Sequence, residues 1–407
     1  MLDKVLDAKL QTWMQRVRSE LDLPVRLTLW NGTHYDLGSF ERPRVSLRIN
    51  DVGAIGAFLD PSLDTLGEAY VREQIDIDGN VIDIVDVAYK LASLSALSAG
   101  SARFAGKLMR KFAHTKSEDK AAIQYHYDVS NDFYRLWLDS RMVYSCGYFE
   151  YGLETLDEAQ EKKIDLILSK IRLRRGHTLL DIGCGWGALV IRAAQRFRTH
   201  CVGITLSERQ YDLALERVRE AQVADRVEIR LQDYRDVTGK FDRITSVGMF
   251  EHVGRDNLEA YFARIQSLLT DNGVAMNHGI TSTDADSDDS PLGGGSFIDK
   301  YVFPAGELPH LSLAVKAMQS GGLEPLDVEN LRRHYVRTLE HWTGRFEAHA
   351  QRIREMVGET KYRIWRVYLA GCAHAFAVDN VSIFQIVCQK SRQPASVIPW
   401  SRRYMCR

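Results

Sequence analysis

The run Leu179-Leu-Asp-Ile-Gly-Cys-Gly-Trp-Gly187 constrains this chain more than any other stretch. An apolar strand runs into Asp181, then into glycines at 183, 185 and 187, then into an apolar helix over Ala188–Phe197. Glycines let the backbone turn tightly and let a ligand approach without a Cβ in the way. The spacing is GxGxG, not the GxGxxG of dinucleotide folds. A strand, a glycine-rich loop and a helix in this order predict a ligand site at the carboxyl edge of a parallel sheet.

The flanking pattern supports such a sheet. His177–Ile182, His200–Thr205, Val227–Gln232, Asp242–Met249 and Gly273–Asn277 read as short apolar strands separated by helical stretches. That alternation predicts an α/β, doubly wound, mostly parallel sheet. Two long helices, about 329–357 and 359–378, and a last strand at Ser382–Cys388 follow. The N-terminal part reads differently, as a smaller α+β domain. Leu2, Val5, Leu6, Leu10, Trp13, Met14 and Val17 recur at helical spacing. Val25, Leu27 and Leu29 alternate, Asn31-Gly32 marks a hairpin turn, and Val45, Leu47 and Ile49 alternate again. Helical patterns follow at 51–59, 63–75 and 81–95.

Residues Ala92–Ala102 are small and read as a linker, and Arg103–Phe112 is a basic amphipathic segment. Such a segment either lies on an anionic membrane surface or docks two domains. The predicted boundaries are 1–102, 103–119, 120–393 for the catalytic domain, and a tail at 394–407.

Composition excludes several classes. A formal net charge of −1 argues against a general basic surface for nucleic acid. The six cysteines (146, 184, 201, 372, 388 and 406) contain no CxxC pair, so no metal site is expected and a reducing compartment fits. The N-terminus reads as an amphipathic helix, not an export signal. No uninterrupted apolar run approaches the ~18 residues of a membrane span. The expected location is the cytoplasm, with any lipid reached from the inner face of the cytoplasmic membrane.

With its strand-end acid, the glycine loop resembles motif I of the class I methyltransferases, which bind S-adenosylmethionine. One departure is informative. Such folds usually end the second strand on an acid that binds ribose, whereas here the segment reads Gly203-Ile-Thr-Leu-Ser-Glu-Arg-Gln210. Glu208 comes late, and Gln210 is an alternative ribose partner. Further segments narrow the family: Tyr125-His-Tyr-Asp-Val129, Tyr144-Ser-Cys-Gly-Tyr-Phe149, Gln232-Asp-Tyr-Arg-Asp236, Gly248-Met-Phe-Glu-His-Val-Gly254, Phe297–Pro304 and Leu369-Ala-Gly-Cys372. In this order, over about 120 to 390, the chain resembles the cyclopropane-fatty-acyl-phospholipid synthases, relatives of the mycolic acid cyclopropane synthases. Gly67-Glu-Ala-Tyr70 through Ile77-Asp-Gly79 carries a weaker likeness to the N-terminal lipid-associating domain of the phospholipid enzymes.

The resemblance implies cofactor contacts at Tyr144, Ser145, Asp181, Gly183, Cys184, Gly185, Thr205, Leu206, Ser207, Glu208, Arg209, Gln210, Asp233 and Tyr234. It implies a bound bicarbonate as catalytic base, held at Cys146, Glu251, His278, the backbone of Ile280, and Tyr335. His278, the Tyr335 phenol and the Ile280 amide have donors for an anion. Glu251 either accepts the bicarbonate proton or orients His278, and Cys146 offers a backbone amide or its thiol. Adjacent side chains at a strand end diverge, which sets His252 behind the residues that touch the anion, apart from its neighbour Glu251. Cys372 also falls on a family cysteine, as a covalent nucleophile or as a packed small side chain. Tyr127, Phe149, Tyr301 and Phe303 are candidate aromatics facing a cation. Acids and glycines over Thr281–Phe297 read as a surface loop able to cover an entrance, without EF-hand spacing.

The chemistry explains the set. An alkene is a poor nucleophile, so its methyl donor must be strongly electrophilic, as a sulfonium is. Methylation leaves a cation beside the new methyl, and ring closure needs a base to remove a methyl proton in a dry site. The expected activity is cyclopropane formation on unsaturated phospholipid acyl chains at the membrane surface, by an enzyme that the resemblance implies is a homodimer. Alternatives are a related methyltransferase giving a methyl-branched acyl chain or an N-methylated product, and an inactive lipid-binding protein.

Overall fold

A computed structural model describes residues 2–98, 129–284, 294–304, 306–393 and 397–406. The basic segment at 103–119, Tyr127, and residues 285–293 of the acid- and glycine-rich loop lie outside the described residues. The chain divides into two compact units, each built around its own sheet.

In the first unit, helix α1 (Leu2–Glu20) buries Leu10, Trp13, Met14 and Val17 in a core with strands β1 (Val25–Thr28), β2 (His34–Asp36), β3 (Val45–Ile49) and β4 (Ile75–Gly79). The sheet order is β2-β1-β3-β4. Helices α2 (Leu63–Val71) and α3 (Val81–Ser98) add to the same core. Two expectations change here. The helix expected over 63–75 stops at Val71, Glu73 turns into the left-handed region (φ 59°), and Ile75–Gly79 pairs antiparallel with β3. Ile75 and Ile77 alternate with aspartates, a period of two that a helix cannot use. Part of the expected linker is also helix: Ala92–Ser98 prolongs α3, burying Ala92 and Leu94.

This unit is discontinuous in sequence. It takes in Asp289–Pro304 and Ala350–His374, which a linear reading assigns to the catalytic domain. Arg363, 8% exposed, explains how. Its guanidinium donates to the carbonyls of Tyr70 and Ile75, each at 3.0 Å, and to Asp76. Arg366 reaches the Tyr70 hydroxyl at 3.0 Å and the Ile77 carbonyl at 3.3 Å. The Gly67–Gly79 stretch therefore anchors a helix from the far end of the chain, its carbonyls and a carboxylate accepting from the two arginines.

The second unit is a seven-stranded sheet of order β10-β11-β9-β8-β5-β6-β7. Its strands are β5 (Thr178–Ile182), β6 (His200–Thr205), β7 (Val227–Leu231), β8 (Phe241–Val247), β9 (Leu269–Ser282), β10 (Leu323–Asn330) and β11 (Val381–Lys390). β5 to β9 run parallel, while β11 is antiparallel to both β9 and β10. This is the expected doubly wound sheet, with β10 unforeseen: its Pro325 and acids hid it among loop signals, and the helix expected from 329 starts after it.

Alternation sends successive residues of β5 to opposite faces. Leu179 joins a core with α4 (Leu156–Lys170), α5 (Ala188–Phe197) and α6 (Glu208–Glu220). Leu180 joins one with α7 (Leu258–Leu268) and α8 (Leu311–Ser320). Thr155 starts α4 through a capping box with Glu158. Helix α9 (Arg332–Ala348) follows β10, and the next helical run, Ala350–Ala377, is broken at Gly358 (φ 82°).

Candidate functional site

Sheet order reverses at β5, with β6 on one side and β8 on the other. Ligands of open α/β sheets bind beyond the strand ends at such a point. There Gly183, Gly185 and Gly187 have φ of 80°, 54° and 83°, in the left-handed region that favours glycine. The amides of Gly183 and Cys184 both donate to the carbonyl of Ile204, at 3.0 and 2.9 Å, tying the loop to β6. A Cβ on Gly183 would meet the side chain of Met249 at 3.2 Å.

The loop lines a cavity of about 130 Å³. Tyr144, Ser145, Asp181, Gly183, Cys184, Gly185, Thr205, Leu206, Gln210 and Tyr234 all line it. Four other expected contacts sit outside the lining. Ser207 is the N-cap of α6, accepting from the amide of Gln210, while Glu208 and Arg209 are exposed on the first turn of that helix. Asp233 accepts from the amide of Arg235 at 2.8 Å and pairs with its guanidinium. Of the two ribose candidates, Gln210 faces the cavity and is held by the Thr205 hydroxyl, which donates to it at 2.8 Å. His252, expected to turn away, is part of the lining. Glu251 and His252 leave β8 as a 3-10 turn rather than as strand, so the strand rule for neighbours does not apply.

The polar wall holds a residue that sequence reasoning missed. Lys163, 2% exposed, comes from α4 and donates to the Ser145 hydroxyl at 2.8 Å. Its signal was a lysine within the buried face Ala159, Ile164, Ile167 of an amphipathic helix. Burial lowers the Lys163 pKa to about 8. Nearby, burial pushes Asp181 up to about 6, while the Thr245 hydroxyl donates to it at 2.6 Å. Glycine backbone, an apolar floor and a buried acid and base suit a nucleoside joined to an amino acid, as S-adenosylmethionine is.

The five residues of the expected anion site are drawn together by β9 and β11. His278 and Ile280 lie on β9 opposite Gln385 and Ile383. The Ile383 carbonyl accepts from the amide of Leu331, whose own carbonyl accepts from the amide of Tyr335 at 3.0 Å and from the Cys146 thiol at 3.7 Å. The Ile280 amide, expected to face an anion, instead donates to Glu251 at 2.6 Å. Gly279 permits this turn, since a Cβ there would fall 2.1 Å from the ring of Phe250. Burial pushes Glu251 up to about 7, and its second oxygen, Oε2, is buried without a hydrogen-bond partner among the described residues.

His278 is fully buried. Its Nδ1 lies 3.0 Å from the Gln385 amide nitrogen, and its Nε2 has no hydrogen-bond partner among the described residues. Burial, reinforced by the charges of Lys163 and Lys170, holds its pKa well below 6.5, so the ring is neutral. Cys146 is fully buried and its thiol is pushed far up by burial, so it stays protonated.

Aromatic rings connect the two regions. Tyr144 packs 5.2 Å from Trp342, which meets Tyr335 edge-on at 5.9 Å, and Tyr335 lies 4.7 Å from Phe376. Phe149 stacks on His341. Tyr301, Phe303 and Cys372 belong to the first unit. Tyr301 donates to Glu68 at 2.7 Å, and Phe303 packs on Tyr368. Burial pushes the Cys372 thiol up to about 12, a poor state for a nucleophile.

Comparison with known proteins agrees with this geometry. Residues 114–386 match the family described as mycolic acid cyclopropane synthetase, and residues 12–98 match a domain family of unknown function. A probable fatty acid methyltransferase of Pseudomonas putida is 42% identical over 390 residues, covering 95% of this chain and 97% of that protein. The cyclopropane-fatty-acyl-phospholipid synthase of Escherichia coli K12 is 37% identical over 262 residues, 64% of this chain and 66% of its own. Among solved structures, mycolic acid cyclopropane synthase CmaA1 complexed with SAH and CTAB superposes with a TM-score of 0.64 at 35% identity, over 67% of this chain and 98% of that one. The chain thus belongs to the mycolic acid cyclopropane synthetase family, as an S-adenosylmethionine-dependent methyltransferase acting on fatty acyl chains.

Proposed function

We propose that this enzyme methylates the cis double bond of an unsaturated phospholipid acyl chain and closes a cyclopropane ring, using a bound bicarbonate as base. One observation carries the reading. A buried donor, His278 Nε2–H, and a buried acceptor, Glu251 Oε2, are both without partners among the described residues. Orphaned buried polar groups cost about 1–3 kcal/mol each unless a ligand satisfies them. Bicarbonate has oxygens to accept from the histidine and a hydroxyl to donate to the carboxylate. Lys163 and Lys170 make the region around His278 positive, which favours an anion.

S-adenosylmethionine supplies an electrophilic methyl. As the methyl–sulfur bond breaks, a carbon–carbon bond forms to one alkene carbon and leaves a cation on the other. The rings of Tyr144, Trp342 and Tyr335 present π surface to that charge. Closure breaks a methyl C–H bond, whose electrons form the third ring bond; His278 and Glu251 would hold the bicarbonate, which would supply the base for the departing proton. Neutral His278 holds the base without protonating it.

Among the described residues no helix is long and apolar enough to cross a membrane, which accords with an enzyme that visits the lipid surface from the cytoplasm. A homodimer is part of the same proposal.

The test is lipid analysis after expression in a host lacking cyclopropane acids. Ring protons by NMR, with the methyl traced from labelled S-adenosylmethionine and turnover dependent on bicarbonate, are expected. A methylated acyl chain without a ring would overturn ring closure and establish the second reading, a methyl branch. Absence of label from lipid would refute both.

A further inference from the structure

Lys163 is the only lysine or arginine among the described residues that line the cofactor cavity. It is fully buried, yet no carboxylate among the described residues lies within ion-pair distance of its ammonium. Its one ammonium hydrogen bond among the described residues, to Ser145 at 2.8 Å, leaves other ammonium protons uncommitted to them. Asp181, the acid on the same wall, takes its bond from Thr245 instead. Asp139 and Asp181 act on that charge only from beyond ion-pair distance, and a buried ammonium without a contacting anion is costly unless a ligand brings one. Even lowered to about 8, the Lys163 amine is charged at neutral pH.

We propose that Lys163 is the cationic partner of the α-carboxylate of S-adenosylmethionine, with Ser145 orienting the ammonium and Asp181 left to face the α-amino group. The methionine end is the only part of that molecule with a carboxylate. The wall that carries Lys163 also carries Ser145, Asp181 and Gly183 at the strand end. His278 and Glu251 do not line this cavity, so the charge of Lys163 reaches His278 only through space.

The experiment compares equilibrium binding of S-adenosylhomocysteine with that of its decarboxylated analogue, which keeps the amine and loses only the carboxylate. By calorimetry, the unmodified enzyme is expected to prefer S-adenosylhomocysteine by roughly tenfold to a hundredfold, the range for a hydrogen bond to a charged group. In K163M that preference should collapse, the analogue binding as before. Equal affinity of the unmodified enzyme for both ligands would overturn the assignment without any variant. So would a K163M protein that keeps the full preference, including one that binds both ligands more weakly in equal measure.

Discussion

The side-chain amide of Gln385 donates to Nδ1 of His278 across 3.0 Å. The direction follows from the other end of the amide. Its oxygen accepts from Lys170 at 2.6 Å, and an ammonium has only donors, so the amide nitrogen faces the ring. A donor at Nδ1 leaves the ring proton on Nε2, where no partner is found among the described residues. Glu329 completes the chain by pairing with Lys170. Three residues beyond the histidine thus decide which nitrogen can hold an anion.

Gln385→Glu should reverse that tautomer. A carboxylate at this position accepts from Nδ1–H and still pairs with Lys170, leaving Nε2 without its proton. Turnover should fall on the order of tenfold to a hundredfold, the rate equivalent of one lost hydrogen bond at the reacting centre. Nitrogen-15 NMR of labelled histidine should show the proton moved, with S-adenosylhomocysteine affinity unchanged. An unmoved proton would refute the relay.

Glu251→Gln should abolish ring formation and also change the pH dependence of stability. The folded Glu251 pKa of about 7 lies above the ordinary 4.5 of a glutamate because burial disfavours the charged form. The raised value means that the neutral form stabilises the fold below about 4.5, and that this contribution is lost as pH rises through 7. Urea unfolding should show the unmodified enzyme losing on the order of 3 kcal/mol relative to Glu251→Gln across that window. Asp181, also raised, contributes equally to both proteins and cancels in the difference. Parallel curves would mean that Glu251 is solvated.

Gly279→Ala should cost about 1–3 kcal/mol of stability, the usual range for overpacking. The new methyl would lie 2.1 Å from Cδ1 of Phe250. Shortening the neighbour in Gly279→Ala/Phe250→Leu should recover most of the loss in a denaturation midpoint. No recovery would place the strain elsewhere.

Arg363→Met should destabilise the first unit by about 1.5–3 kcal/mol, the range for hydrogen bonds made by a charged group. Tyr70 and Ile75 would each lose a charged donor to their carbonyls, and Asp76 its cation. Hydrogen exchange should accelerate at β4 and α2 before it does in the seven-stranded sheet. Uniform acceleration would argue against local anchoring.

Much of the catalytic unit was legible in sequence because its signals are local. Strand periodicity, the GxGxG spacing and capping residues act over a few neighbours, so Leu179–Gly187 announced both the sheet and the cofactor loop. Strand β4 and strand β10 were harder, since aspartates and a proline diluted the pattern that pairing later stabilises.

What the sequence by itself determined was the parallel sheet, its glycine loop at the strand reversal, and the residue types of an acyl methyltransferase. Only the tertiary structure decided that Lys163 and Gln385 belong to the site, that Ile280 turns its amide to Glu251, and that Arg363 draws a C-terminal helix into the N-terminal unit. The reason is physical: a lysine in an apolar stripe or a glutamine on a strand carries no local sign of its partner. Protonation state and hydrogen-bond direction are set by burial and by groups brought near from distant parts of the chain.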